Sequence, residues 1–80
     1  MRLLIDQGNT RIKWRLLDDT GQACVTGASA TLDWMPLKQS IAVGSTITTI
    51  FVASVLGPPA QRKLAAFLLK YFKCKPEFAR

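Results

Sequence analysis

From Thr10 to Leu17 the chain alternates without a break: Thr10, Ile12, Trp14 and Leu16 fall on one parity, Arg11, Lys13 and Arg15 on the other. A period of two marks a strand with one face buried and the other in water. Leu3-Leu4-Ile5 before it, within Arg2–Gln7, reads as a short buried strand that ends on one acid, Asp6. Between the two strands, Gly8-Asn9 supplies residues that tolerate positive φ, as a tight hairpin turn requires. With the turn placed between Asn9 and Thr10, Asp6 lies opposite Lys13, Ile5 opposite Trp14 and Leu3 opposite Leu16. Directly paired residues share a face, so one face is apolar and the other bears an acid and a lysine.

Asp18-Asp19-Thr20-Gly21 marks a second turn, and Gln22 to Ala28 reads as a third strand weakened by Gly27. The opening is thus a three-stranded antiparallel meander. Leu32 to Ala42 fits a short helix with Thr31 as N-cap, Pro36 in the first turn, and Leu32, Met35 and either Leu37 or Gln39 inward. Gly44-Ser45 marks a loop. Ile47 to Val55 is rich in β-branched residues and reads as a buried strand. Gly57-Pro58-Pro59 ends it and opens a helix whose apolar stripe is Leu64, Phe67, Leu68, Tyr71 and Phe72. Pro76 to Ala79 begins another strand with no length to pair. The order β-β-β-α-β-α implies an α/β fold, a mixed sheet with helices packed on it. It stops in mid-unit, so the expectation is a single subdomain, residues 1–80, cut from a longer protein, with an exposed sheet edge.

Size and composition narrow the chemistry. Eighty residues support one core and leave no room for a cleft between two domains. At 49% hydrophobic residues the chain folds rather than staying disordered. Histidine is absent, which removes imidazole acid–base schemes and His-based triads or zinc sites. Cys24 and Cys74 stand in no metal-ligand spacing, and a secreted scaffold this small would carry more cysteines. Asp6 comes too early for a signal-peptide core, and the apolar run Ile50 to Leu56 is far short of a membrane span. The expectation is a soluble cytoplasmic chain that does not engage membranes.

The net charge of +6 is uneven. Residues 1–57 carry five cations against four acids, a net of +1. Residues 58–80 carry Arg62, Lys63, Lys70, Lys73, Lys75 and Arg80 against Glu77 alone, a net of +5. Such a segment can suit nucleic acid or an anionic membrane surface, but a solvated helix face plus one strand start is the better reading, with Lys70 and Lys73 placed to favour the helix dipole, and a nucleic-acid partner is not expected.

The segment that carries chemistry is Asp6-Gln7-Gly8-Asn9-Thr10-Arg11-Ile12-Lys13. Its turn can point successive N–H groups of Gly8, Asn9 and Thr10 into a concave nest for phosphate oxygens. Lys13 would neutralise phosphate charge, and Asp6 would hold a hydrated magnesium ion, which takes one or two carboxylates. A plain hairpin with a cross-strand ion pair, worth at most about 1 kcal/mol at a surface, explains the same residues.

Leu3-Leu4-Ile5-Asp6-Gln7-Gly8-Asn9-Thr10-Arg11-Ile12-Lys13-Trp14 resembles the opening of type III pantothenate kinases, whose first phosphate motif reads Asp-x-Gly-Asn-Thr-x-x-Lys. Trp14, the Asp18-Asp19-Thr20-Gly21 turn and Val52-Ala53-Ser54-Val55 resemble the family as well. The resemblance implies a ribonuclease H-like half of the acetate and sugar kinase/actin superfamily, a bacterial two-domain kinase in which this chain is the N-terminal part. It implies ATP-dependent phosphorylation of pantothenate toward coenzyme A, with ATP, Mg2+ and a monovalent cation (K+ or NH4+), in a homodimer. Asp6 and Lys13 would be the catalytic pair and Asp6 the metal ligand. Gly8, Asn9, Thr10 and Arg11 would join them around the ATP phosphates. The aspartate expected as base, the second phosphate motif and the pantothenate site lie beyond Arg80. Asp18, Asp19 and Asp33 read as solvated turn residues rather than substitutes, so this chain alone is expected to be inactive.

Two other functions fit less of the sequence. A regulatory or nucleic-acid-binding module of the transcriptional-activator type would use the basic end, yet no helix-turn-helix or aromatic–basic interleaving accompanies it. Another kinase or ATPase of the actin superfamily would share the motif, though its Asn-Thr-x-x-Lys form resembles the pantothenate branch.

Overall fold

The computed structural model describes residues 1–79. The elements are β1 (Arg2–Gln7), β2 (Arg11–Leu17), β3 (Ala23–Ala30), α1 (Met35–Ser40), β4 (Thr49–Ser54), α2 (Pro58–Phe72) and β5 (Glu77–Phe78). The expected β-β-β-α-β-α order is what forms. The strands make one mixed sheet in the order β3-β2-β1-β4-β5. β1 pairs antiparallel with β2, and β2 with β3, while β1–β4 and β4–β5 are parallel. This is the architecture of an actin-like ATPase half-domain.

The hairpin register is the one that alternation dictates: Asp6 pairs with Lys13, Ile5 with Trp14 and Leu3 with Leu16. Leu3, Ile5, Ile12, Trp14 and Leu16 are buried, together with Ile50 and Val52 of β4. Both helices close over this face. α2 contributes Leu64 and Leu68, each fully buried and each worth about 1.5–3 kcal/mol against exposure. Phe67 and Phe72 pack at the margin of the same core. Gly57 in an extended conformation leads into Pro58 at the start of α2, where a missing N–H costs nothing.

Four local expectations change. α1 is shorter than its sequence pattern, and its anchors are Leu37 and Ile41, while Leu32 and Met35 are exposed. Thr31 does not cap it; Trp34 occupies that position without a side-chain cap, and the Thr31 hydroxyl bonds Gly8 O at 2.6 Å instead. A threonine with a tertiary acceptor within reach has no hydroxyl left for a helix start. β3 runs on to Ala30, and Gly27 is required by its neighbour: the indole of Trp14, its cross-strand partner, fills the space a side chain would need. β5 does pair, through Phe51 with Glu77 and Val52 with Phe78, and Ala79 N–H donates to Val52 O at 2.8 Å. Two residues suffice because Phe78, half-buried, packs against the core.

The β2–β3 turn is organised by Asp18 more than its solvated position suggested. Its Oδ1 accepts from Thr20 Oγ1 at 2.6 Å, Thr20 N–H at 2.9 Å and Gln22 N–H at 3.0 Å. Gly21 closes the turn at φ +86°. The Thr20 hydroxyl first, and the Gln22 amide second, hold the Asp18 carboxyl below its usual range. A depressed carboxylate stabilises the fold above its unfolded pKa and loses that contribution as pH falls through the folded value. Acid titration followed by NMR is therefore expected to release the Thr20 and Gln22 amides only at pH below the ordinary aspartate range. Asp18→Asn should remove that transition, and amides that stay put to the acid limit would contradict the role.

Candidate functional site

The carboxyl ends of the parallel strands β1 and β4 lie side by side, and the chain leaves them in opposite directions, β1 toward β2 and β4 toward β5. Open α/β sheets bind ligands at such a switch point. The β1–β2 turn projects from this end. Gly8 N–H donates to Arg11 O at 2.8 Å, which closes the turn around Asn9 and Thr10.

The turn's shape differs from the expectation. Neither Gly8 nor Asn9 has a positive φ; among the described residues only Lys73, Gly21 and Gly44 do. Tertiary hydrogen bonds set its form instead: Thr31 N–H donates to Thr10 O at 3.1 Å and Thr31 Oγ1 to Gly8 O. Gly8 therefore has both backbone groups engaged, and its N–H is not available to a nest. The Asn9 and Thr10 N–H groups have no acceptor among the described residues. A Cβ added at Gly8 would meet nothing closer than Arg11 O at 3.5 Å, an ordinary contact. Neither conformation nor internal packing demands glycine there, while close approach of a ligand to the backbone would.

Asp6 and Lys13 face each other on the exposed side of the hairpin, beside the turn. They are not spent on each other: among the described residues the one ion pair is the Met1 ammonium with Asp19 at 3.6 Å. The expected cross-strand ion pair of a purely structural hairpin is thus not formed. Asp6, Gly8, Thr10, Arg11 and Lys13 line a shallow groove of about 240 Å³. With Arg15 next along β2, one carboxylate stands among three cations, a local field that favours phosphate.

The residues beneath the turn escaped the sequence reading. Gln7 is fully buried. Its Nε2 donates to Thr31 O at 3.0 Å, and its Oε1 accepts from Ser54 Oγ at 2.8 Å. Val55 N–H donates to Gln7 O at 3.1 Å. Gln7 thereby ties the end of β1 to the end of β4 and to the loop that clamps Gly8. Its parity was the available signal, since it falls on the same side as Leu3 and Ile5. A buried amide with every polar atom satisfied holds its surroundings in one arrangement.

A hydrated magnesium ion takes one or two carboxylates, and Asp6 is the exposed carboxylate that would hold one here. No group of three metal-ligating side chains occurs among the described residues, so the donor set does not match an all-protein cage. The aromatic residues of α2 are engaged in packing. Phe67 stands edge-on to Trp34 at 5.5 Å and lies 4.7 Å from Tyr71, whose ring carries Lys38 Nζ at 4.2 Å. No helix among the described residues is long and apolar enough to cross a membrane.

Comparison with known proteins identifies the family. The type III pantothenate kinase family profile matches residues 2–80. A type III pantothenate kinase of Saccharophagus degradans is 40% identical over 81 residues, covering all of this chain and 29% of that protein. Relatives of the same name from Marinobacter nauticus and Halorhodospira halophila are 38% and 41% identical, over 31% and 28% of their lengths. The chain thus spans about three tenths of the curated relatives it matches, and across that span it belongs to the type III pantothenate kinase family.

Proposed function

We propose that these 80 residues are the ATP-phosphate-binding subdomain of a longer two-domain, cytoplasmic enzyme that transfers the γ-phosphoryl group of ATP to the hydroxyl of pantothenate. The observation that carries this reading is the exposed, mutually unpaired Asp6 and Lys13 beside a turn whose Asn9 and Thr10 N–H groups have no acceptor among the described residues. In the proposed roles, Lys13 and Arg11 neutralise the phosphate oxygens, and the Asn9 and Thr10 amides donate to them. Gly8 lets the phosphates approach the backbone. Asp6 holds a hydrated magnesium ion, whose chemistry is to spread the charge that develops on the transferring phosphoryl group. Phosphoryl transfer is catalysed mostly by such positioning and charge stabilisation. The bond from the γ-phosphorus to the bridging oxygen breaks, the pantothenate oxygen bonds to phosphorus, its hydroxyl proton passes to a base outside these 80 residues, and ADP leaves. The monovalent cation and the homodimer implied by the resemblance belong to the proposal for the whole protein, and these residues are given no part in them.

The test uses the chain alone and a chimera in which it replaces the matching N-terminal residues of the S. degradans relative. In a coupled assay with ATP and pantothenate, the chain alone is expected to show no turnover. The chimera is expected to phosphorylate pantothenate. Turnover by the pure 80-residue chain would contradict the half-site reading, and a folded, inactive chimera would contradict the phosphate-binding one.

A further inference from the structure

Three peptide groups make the turn between β1 and β2, those joining Gly8 to Asn9, Asn9 to Thr10 and Thr10 to Arg11. One distant residue holds the first and the third. The Thr31 hydroxyl donates to Gly8 O at 2.6 Å, and the Thr31 N–H donates to Thr10 O at 3.1 Å. Thr31 is itself anchored, since its carbonyl accepts from Gln7 Nε2 at 3.0 Å and from Trp34 Nε1 at 2.9 Å. Gln7 is buried and bonded to Ser54 at the end of β4, and the Trp34 ring stands against Phe67 of α2. A peptide group is planar and, here, trans, so its C=O and N–H point in opposite directions. A hydroxyl that fixes Gly8 O therefore also fixes where the Asn9 N–H points. It is turned away from residue 31, where it meets no acceptor among the described residues. Without that hold, the permissive backbone of Gly8 would let the peptide swing at little cost.

We infer that Thr31 is a positioning residue for the phosphate turn, its hydroxyl latching the Gly8–Asn9 peptide so that the Asn9 N–H is presented to a phosphate oxygen. Thr31 acts through Gly8 and is given no contact with substrate. The role rests on the phosphate-binding reading of the turn and adds the device that preorganises it. A donor already aimed at the incoming charge needs no reorganisation when the anion arrives. The Thr10 N–H belongs to the middle peptide, which Thr31 does not hold. Loss of the hydroxyl should therefore affect the Asn9 amide more than the Thr10 amide.

Two substitutions separate the hydroxyl from the rest of the side chain. Thr31→Val keeps the shape and the backbone groups and removes the hydroxyl, whereas Thr31→Ser keeps the hydroxyl. Each 15N-labelled chain is titrated with MgATP beside the parent. Thr31→Val is expected to weaken binding about tenfold or more, the worth of one hydrogen bond to a charged group. It should also lose the nucleotide-induced shift of the Asn9 amide while that of Thr10 persists. Thr31→Ser is expected to restore both. In the chimera, Thr31→Val should raise KM for ATP and leave KM for pantothenate unchanged. Mere loss of folded protein would not produce that split, since fewer active molecules lower the apparent kcat alone. Equal affinity in Thr31→Val and the parent would overturn the latch. So would a Thr31→Ser chain as weak as Thr31→Val, because the methyl group and not the hydroxyl would then matter. A parent chain that binds no MgATP would overturn the phosphate reading and the latch together, which tells the two failures apart.

Discussion

Asp6→Asn and Lys13→Ala, each introduced into the chimera, are expected to lower kcat by about 100- to 1,000-fold, the usual loss of one charge-stabilising group at a transition state. Neither should unfold the protein. Both side chains are exposed and have no ion-pair partner among the described residues, so the change in stability should stay within about 0.5 kcal/mol. The two losses should combine to less than their product if both groups act on the same phosphate oxygens. Lys13→Arg keeps the charge but exchanges a compact ammonium for a planar fork, and an intermediate rate is expected. Steady-state kinetics beside urea melts provide the check. Unchanged kcat in both single variants would reduce the motif to a structural hairpin.

Gly27→Ala carries the largest expected cost to the fold. A Cβ there would lie 2.5 Å from Cε2 and 2.7 Å from Nε1 of Trp14, and closer still to Cζ2. The indole cannot move aside, being buried and held by its N–H donating to Ser40 Oγ at 2.9 Å. Overpacking of this kind costs about 3 kcal/mol, the upper part of its usual range. A domain of this size has a total of roughly 4–12 kcal/mol, at the usual stability per residue. The urea midpoint should therefore fall steeply. Trp14→Leu alone opens a cavity and also destabilises, but combined with Gly27→Ala the two should cost less than their sum by about 0.5–3 kcal/mol. A Gly27→Ala protein that melts like the parent would show that the strand relaxes more freely than its packing implies.

Parity explains why so much of the hairpin was legible. A strand pair with one buried face admits few registers, and a slip of one residue would send Trp14 and Ile12 into water. The positions of Asp6 and Lys13 followed directly. What could not be read was tertiary. Thr31 looked like a helix cap because local sequence cannot show that Gly8 O lies within reach of its hydroxyl. Gly27 looked like a weakness because a glycine's value depends on the cross-strand indole. The Gly8-Asn9 turn looked like a positive-φ turn, whereas bonds from residue 31 set its shape. Gln7 stood inside the motif as an unassigned position, and its parity alone marked it as buried.

The most direct measurement of phosphate binding is a titration of the 15N-labelled chain with MgATP, followed amide by amide. Shifts are expected to concentrate between Asp6 and Lys13, largest at the Asn9 and Thr10 amides, and to vanish in Lys13→Ala. No shift up to millimolar nucleotide, or shifts centred on Lys70 to Lys75 that persist in Lys13→Ala, would contradict a phosphate site on this hairpin.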